Sequence, residues 1–591
     1  MTPYKNTKSI IKNIIINFDD LEPELTNEFD YEYQSTIEDI SEEYFSKYYS
    51  TEEKLNLGVV ETPPLVSFFM VDLVFKQWMM KNSISDASDI HWFDPCGGSG
   101  IFPLKIYEYY IKKLGAKTEA ELPYITISEV SGLGALSIAK SILIYLKSNN
   151  FDVSRLIDMN KIKVINIDTL MYFSYFDDLI NNQKFDIVIG NPPYVRSTRI
   201  AKEYKRKLKV VFDSNYSGDF DLYHCFIMMG VNVLNENGFL SFISPASFIR
   251  ARSANKLRKW LCEKVRVNVY IDLDECNVFS NAEVHAAIYI FGRNKGDVNE
   301  SDYLHIKNNQ DLSKMLTGSL KFNKFLINRN QSHGWSFYDS LASLESTIDM
   351  LNNTIPMSEL GVKVYSGIRT GFSKAYIFPE NEGSIFSHEI DDLLIRSIIL
   401  PANIIRWHGY KKMNKLLFIP YGMEVNNTKV LEYLEMYRDR LSSRSEAKNN
   451  FWYALRTCSY YDEMFKRKIA FPDLSVSQRF SLVEENILIP DGAYFLNTDN
   501  YVVLGILNSS LAKKYFVNHC SSVGNLNSKG RFRFKKEFVK RFPLPKNVFE
   551  NGVIQKEIEC VVEKIIKIGD NEELSNKVNE LVTRLYQEKN D

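Results

Sequence analysis

Between residues 90 and 291 short apolar runs alternate with longer amphipathic ones, and this alternation constrains the chain more than any other feature. Seven runs read as strands: Ile90 to Asp94, Tyr124 to Glu129, Lys163 to Asp168, Phe185 to Gly190, Phe239 to Ser244, Val267 to Leu273 and His285 to Phe291. Most are separated by enough chain for a crossover helix, as parallel pairing requires, whereas residues 275–284 between the last two suit an antiparallel neighbour. The pattern predicts an α/β fold built on a mostly parallel, doubly wound sheet with one reversed strand. At 591 residues the chain exceeds what one hydrophobic core organises. A second periodic region, 356–591, reads as an α+β domain; residues 301–355 read as a connecting region and 1–55 as an acidic N-terminal extension.

Charge bears on partners. Residues 1–56 hold 5 Lys against 13 Asp plus Glu, leaving 67 basic and 61 acidic residues in the rest. The positive charge clusters in Arg196 to Lys209, Arg250 to Arg266 and Lys529 to Arg541. One such run is ordinarily a solvated helix face, but three favour a polyanion, since neutralising phosphates releases counterions. No window holds eighteen uncharged apolar residues, and the first residues lack the basic-then-apolar order of a secretory signal, so a cytoplasmic chain without a membrane span is expected. The seven scattered cysteines form no C-x-x-C pair, which gives neither a disulfide framework nor zinc-ligand spacing.

The first chemical signal is Phe93-Asp94-Pro95-Cys96-Gly97-Gly98-Ser99-Gly100, a glycine-rich turn between a strand and an amphipathic run. Such a turn lets a ligand approach the backbone at the carboxyl edge of the sheet. It has neither the G-x-G-x-x-G spacing nor a Walker A lysine, which disfavours NAD and nucleoside triphosphates. The first three strands end in acids, Asp94, Glu129 and Asp168. Any one of them could be a helix cap, whereas three in register favour an adenosyl ligand whose hydroxyl and amino groups need acceptors.

The fourth strand runs into Asn191-Pro192-Pro193-Tyr194. The prolines fix the backbone and leave the Pro192 carbonyl unpaired by a local turn, Asn191 offers a second oxygen acceptor, and Tyr194 supplies a flat ring. Two acceptors drawing on the N–H bonds of a planar amino group would localise its lone pair and make the nitrogen nucleophilic.

With these motifs the chain resembles the amino-group DNA methyltransferases that use S-adenosylmethionine, specifically the TaqI-like (gamma-class) adenine-N6 group. The resemblance starts at Gly58-Val59-Val60-Glu61-Thr62-Pro63-Pro64 and passes through the glycine turn, Glu129, Asp168 and the tetrad. It continues through Asp221-Leu222-Tyr223, Ile243-Ser244-Pro245 and Val278-Phe279, all in the family's order. Tyr365-Ser366-Gly367 and Phe542-Pro543-Leu544-Pro545 look like parts of its target-recognition domain. One departure is Gly97, where the family usually has Cys before Gly-Ser-Gly; Cys96 fills the preceding small-residue position, which implies a slightly altered cofactor pocket.

The resemblance implies a Rossmann-like class I methyltransferase domain, 56–300, with a seven-stranded mixed sheet, followed by a target-recognition domain. It implies that Thr62, Asp94, Cys96, Gly98 and Gly100 surround the cofactor's methionine end, that Glu129 holds the ribose and Asp168 the adenine amino group, and that Val130 joins them. Asn191 and Pro192, with Pro193 fixing the backbone, would hold a flipped-out target amino group, while Tyr194 and Phe279 form the base pocket. Arg196, Arg199, Lys205, Arg250, Arg252, Arg406, Lys411, Lys412, Arg479, Arg531 and Arg533 are candidate contacts to double-stranded DNA. The expected setting is a restriction-modification or phage-defence system in a prokaryotic nucleoid, with a partner protein where that system has one, and no metal is expected for methyl transfer.

Rival readings differ by single features. Cytosine-C5 methylation needs a nucleophilic cysteine, and the one Pro-Cys pair, Pro95-Cys96, lies in the cofactor turn. Cytosine-N4 enzymes resemble Ser-Pro-Pro-Tyr, so Asn191 favours adenine. Release-factor glutamine methyltransferases and some RNA methyltransferases share Asn-Pro-Pro-Tyr but generally lack the large C-terminal domain. A combined restriction-modification enzyme would need clustered nuclease carboxylates with a lysine, and methylation without cleavage is expected.

Overall fold

A computed structural model of the protein describes residues 16, 60–172, 184–273, 276, 278–279, 285–293, 300–306, 308–328, 335–338, 354–380, 394–444, 447, 450–519, 521–523 and 531–588. The acidic extension apart from residue 16, Gly58-Val59 and the side chains of Arg252 and Arg531 lie outside this description. The chain divides into two compact units, 1–341 and 342–591.

In the first unit all seven expected strands form: β1 (His91–Asp94), β2 (Tyr124–Glu129), β3 (Ile162–Asn166), β4 (Phe185–Gly190), β5 (Leu234–Pro245), β6 (Arg266–Asp272) and β7 (Ala286–Gly292). Their order across the sheet is β6-β7-β5-β4-β1-β2-β3. The pairs of β1 with β2 and β4, β2 with β3, and β4 with β5 are parallel; β7 runs antiparallel to both β5 and β6. Consecutive residues face opposite sides, so Trp92, Ile187 and Ile243 enter one apolar core while Phe93, Val188 and Phe242 enter another. Helices α1 (Pro64–Met79), α2 (Ile101–Glu108) and α3 (Gly132–Ser148) supply apolar residues to the first core. The second core takes them from α5 (Thr169–Tyr172), α6 (Lys202–Phe212), α7 (Leu222–Val233) and α8 (Asn255–Lys264); α4 (Val153–Asp158) leads back into β3. Strands buried on both faces read as near-continuous apolar runs, which is why they were visible in the sequence.

The sheet has ten strands, not seven. Beyond β6 it continues through β8 (Glu300–His305), β9 (Asn323–Asn328) and β10 (Ser336–Tyr338). These strands come from the stretch expected to be a connection. They sit toward the sheet's edge and carry polar residues such as Asp302 and Lys324, whose charged ends lie 2.7 Å apart. Half-buried strands with such polar composition lack the apolar runs that mark a strand in a sequence.

The second unit is α+β. One sheet takes the order Val364–Ser366, Ala493–Leu496, Lys468–Pro472, Ser481–Val483 and Trp407–His408; another pairs Ile377–Pro379, Asn414–Leu417, Ile395–Ile398 and Ile487–Leu488. Residues 482–490 divide between two strands, with Asn486 between them in the left-handed region at φ 60°. Helices Val553–Ile568 and Glu572–Gln587 close one of this unit's cores.

Candidate active site

Strand order reverses at the β1–β4 pair, because β2 and β3 lie on one side and β5 on the other. In open α/β sheets ligands bind at the carboxyl ends of strands at such a switch point. The glycine turn follows β1 there, and the Asn-Pro-Pro-Tyr tetrad follows β4. Gly100 caps α2 with φ 77°, a conformation that excludes most side chains. At Gly97 an added Cβ would lie 2.6 Å from Ile138 Cδ1 and 2.7 Å from Ile127 Cγ2, so close packing against α3 explains glycine at this departure from the family pattern.

The three acids have distinct surroundings. Asp94 is 1% exposed; its Oδ1 accepts from the Cys96 N–H at 3.1 Å, and Oδ2 is buried without a partner among the described residues. Glu129 accepts from the N–H of Gly98 and of Ser131, each at 2.9 Å, binding the glycine turn to the end of β2. Asp168 Oδ1 accepts from the N–H of Leu170 (3.1 Å) and Met171 (3.2 Å), and the Tyr204 hydroxyl donates to the same carboxylate. Beneath them Ser128 Oγ and Thr169 Oγ1 lie 2.6 Å apart, both within hydrogen-bond distance of the Pro95 carbonyl, which ties the carboxyl ends of three strands together. Burial, with the nearby Glu129 charge adding and the Cys96 N–H opposing, raises the Asp94 carboxyl to about 7. Burial followed by the charges of Asp94 and Glu129 pushes the Cys96 thiol well above its usual range, which keeps it un-ionised and a poor nucleophile.

Asn191 is held by its amide nitrogen, 2.8 Å from the Val60 carbonyl and 3.0 Å from Thr62 Oγ1. Because a carbonyl only accepts, the nitrogen must face Val60, and Oδ1 is left as a buried acceptor without a partner among the described residues. The Pro192 carbonyl likewise has no partner among them. Tyr194 meets Phe279 edge to face at 5.9 Å between ring centroids, and its hydroxyl donates to the Ile243 carbonyl at 3.4 Å.

A cavity of about 460 Å³ brings together Thr62, Cys96, Gly98, Glu129, Val130, Asp168, Asn191 and Pro193. Asp94, Gly100, Pro192, Tyr194 and Phe279 do not line it; Asp94 accepts from the Cys96 N–H within the glycine turn, and the two rings pack on each other. The lining includes Glu61, Glu129 and Asp168 and no Lys or Arg. A polyphosphate would meet repulsion there, whereas a ligand carrying positive charge and hydroxyl groups fits.

Residues 133–279 match the family model described as the Eco57I restriction-modification methylase. That span holds Asp168, the tetrad and Phe279 and leaves the glycine turn outside it. The type II methyltransferase M.BanIII of Aneurinibacillus aneurinilyticus is 24% identical over 464 residues, 69% of this chain and 78% of that protein. The type II restriction enzyme and methyltransferase RM.Eco57I of Escherichia coli is 25% identical over 442 residues, which is 65% of this chain but 42% of that protein. In fold, the chain is similar to the type IIL restriction-modification enzyme MmeI, solved in complex with DNA, with a TM-score of 0.63 at 17% identity over 93% of this chain and 78% of that one. Together these likenesses support a DNA methyltransferase.

The cavity also takes residues to which the motifs assign no cofactor role, and Leu222 belongs to the Asp221-Leu222-Tyr223 motif. Ile200, Ala201 and Tyr204 come from the basic run that had drawn attention only for its charge, and Leu222 and Phe226 come from α7. The available signal was the spacing Tyr204, Leu208, Phe212, one apolar residue per helical turn beneath the lysines; Leu208 and Phe212 are buried. Of the candidate DNA contacts, Arg196 and Arg199 are exposed, Lys205 donates to Ser197 Oγ at 3.0 Å, and Arg250 is half-buried. In the second unit Lys411 and Lys412 are exposed, whereas three arginines are engaged internally. Arg406 bonds the Asn508 carbonyl and pairs with Asp570, Arg479 donates to Ser475 Oγ at 2.8 Å and to the Ile404 carbonyl at 3.1 Å, and Arg533 lies 3.6 Å from Asp473. Among the described residues no helix is long and apolar enough to cross a membrane.

The raised Asp94 carboxyl, about 7 against 3.8 for a free carboxyl, has a consequence for stability. Folding favours its protonated form, so its contribution is fully present below the unfolded value and is lost as pH rises through the folded one. From pH 5 to 8 the wild type should lose roughly 2–3 kcal/mol relative to Asp94→Asn, read from denaturant midpoints; parallel stability curves would contradict the assignment.

Proposed function

We propose that this chain is a site-specific DNA methyltransferase that moves the methyl group of S-adenosylmethionine to N6 of an adenine flipped out of double-stranded DNA. The observation that carries this reading is the fixed Asn191 amide, whose Oδ1 is a buried acceptor without a partner among the described residues, followed in the chain by the Pro192 carbonyl, which has none among them either. Those two oxygens would accept the two N–H bonds of the target amino group and localise its lone pair, while Tyr194 stacks on the base. The acid-lined cavity fits the cofactor: Glu129 and Asp168 offer acceptors for ribose hydroxyls and an adenine amino group, and the negative lining suits a cation. When bound, S-adenosylmethionine supplies a methyl group activated by its sulfonium. The residues of this chain orient the partners, and no covalent nucleophile is needed. Extruding the base costs a few kcal/mol, offset by stacking and phosphate contacts.

The second unit would serve as the target-recognition domain, with the exposed Lys411 and Lys412 as phosphate contacts, and Arg196 and Arg199 would be those of the first unit. The chain would act in a restriction-modification or phage-defence system. A second reading, a combined restriction and modification enzyme, is favoured by the match to RM.Eco57I. Magnesium-dependent cutting of unmethylated plasmid by the pure chain would establish it, and intact plasmid is expected.

Asn191→Ala should lower methyl transfer to DNA by about 10²–10³-fold, the scale seen when one preorganised polar contact is removed, as measured with radiolabelled donor and base-resolved mapping of the product. Full activity in that variant, or label on cytosine, RNA or protein, would contradict the reading. Replacing Lys411 and Lys412 together with Ala should make the slope of log binding constant against log salt less negative by up to about 2, one counterion contribution per phosphate lost.

A further inference from the structure

Tyr204 stands in the first turn of α6, on the stripe it shares with the buried Leu208 and Phe212, while Lys202, Arg206 and Lys209 on the same helix are exposed. Its side chain lines the cavity, and its hydroxyl reaches the carboxylate of Asp168, 2.8 Å from Oδ2 and 3.0 Å from Oδ1. The carboxylate is therefore used unequally. Oδ1 accepts the two α5 N–H groups and shares the hydroxyl, whereas Oδ2 receives the hydroxyl alone and keeps a lone pair. The hydroxyl stays protonated, because burial and the charge of Asp168 both push its ionisation far up.

A phenol has one proton. With that proton committed to a carboxylate in a charge-assisted bond, Tyr204 Oη has only lone pairs to offer a ligand. The end of the cavity at Asp168 then presents two acceptors, Oη and Oδ2, and no freely available donor from this pair. We infer that Tyr204 is a positioning and specificity-determining residue for the ligand's base: by holding Asp168 and spending its own proton there, it selects a purine bearing an exocyclic amino group over one bearing an oxo group. An amino group satisfies both acceptors. An oxo group brings lone pairs against lone pairs, and a site built for hydrogen bonding rejects a mismatched group far more strongly than an apolar site does. This inference rests on the cofactor reading given above.

The test is isothermal titration of the full-length chain with S-adenosylhomocysteine and with S-inosylhomocysteine, which differ at the purine 6-position and, with it, in the proton on N1, in the wild type and in Tyr204→Phe. The variant keeps the ring and loses only the hydroxyl, and thermal unfolding checks its fold. The wild type should prefer the adenosyl ligand, and Tyr204→Phe should shrink that preference by roughly tenfold, the scale of one hydrogen bond to a charged group. A merely structural role would weaken both ligands alike and leave the ratio unchanged, which would overturn the inference. A wild type that binds the adenosyl ligand without preference would overturn it too. A wild type that binds neither ligand would overturn the cofactor reading and the inference with it.

Discussion

The contact between the Asn191 amide nitrogen and the Val60 carbonyl, 2.8 Å long and spanning 131 residues, sets the chemistry at the edge of the sheet. It orients the amide without ambiguity, since the reverse orientation would set oxygen against oxygen. It also fastens the segment ahead of α1 to the end of β4, so that one bond shapes a wall of the cavity and aims an acceptor. Leaving Oδ1 buried and unpaired costs about 1–3 kcal/mol, and a donor that reaches it recovers that cost.

The acids at the strand ends show how one residue type serves structure and recognition together. Glu129 organises the glycine turn through Gly98 and Ser131, and Asp168 caps α5 while holding Tyr204. A carboxylate has about four lone-pair sites, so a capping role does not exhaust its capacity to accept from a ligand. Asp94 differs, since burial and the neighbouring negative charge favour its neutral form. Glu61, Glu129 and Asp168 line a cavity without Lys or Arg, which leaves a negative surface, and that choice of charge separates a cation site from a phosphate site.

Legibility in the sequence followed burial. Strands β1 to β7 are covered on both faces, and their apolar runs stand out against the polar chain around them; β8 and β9 carry exposed or half-exposed polar residues and do not. The reversal of β7 was readable because the ten residues before it are too few for a crossover. Tyr204 was hidden because the lysines around it dominate the composition of its helix. Arg406 and Arg479 looked like free charges, and only their neighbours reveal that Asn508, Asp570, Ser475 and Ile404 occupy them.

The order of strands and crossovers, the glycine turn, the acid at each of the first strand ends and the tetrad after the fourth were determined by the sequence itself, because each depends on residues a few positions apart. Tertiary structure decided which lone pairs remain unpaired, which acid is neutral and which cations face solvent. Those properties depend on donors, acceptors and buried surface contributed by residues tens to more than a hundred positions away, and local pattern carries no record of them.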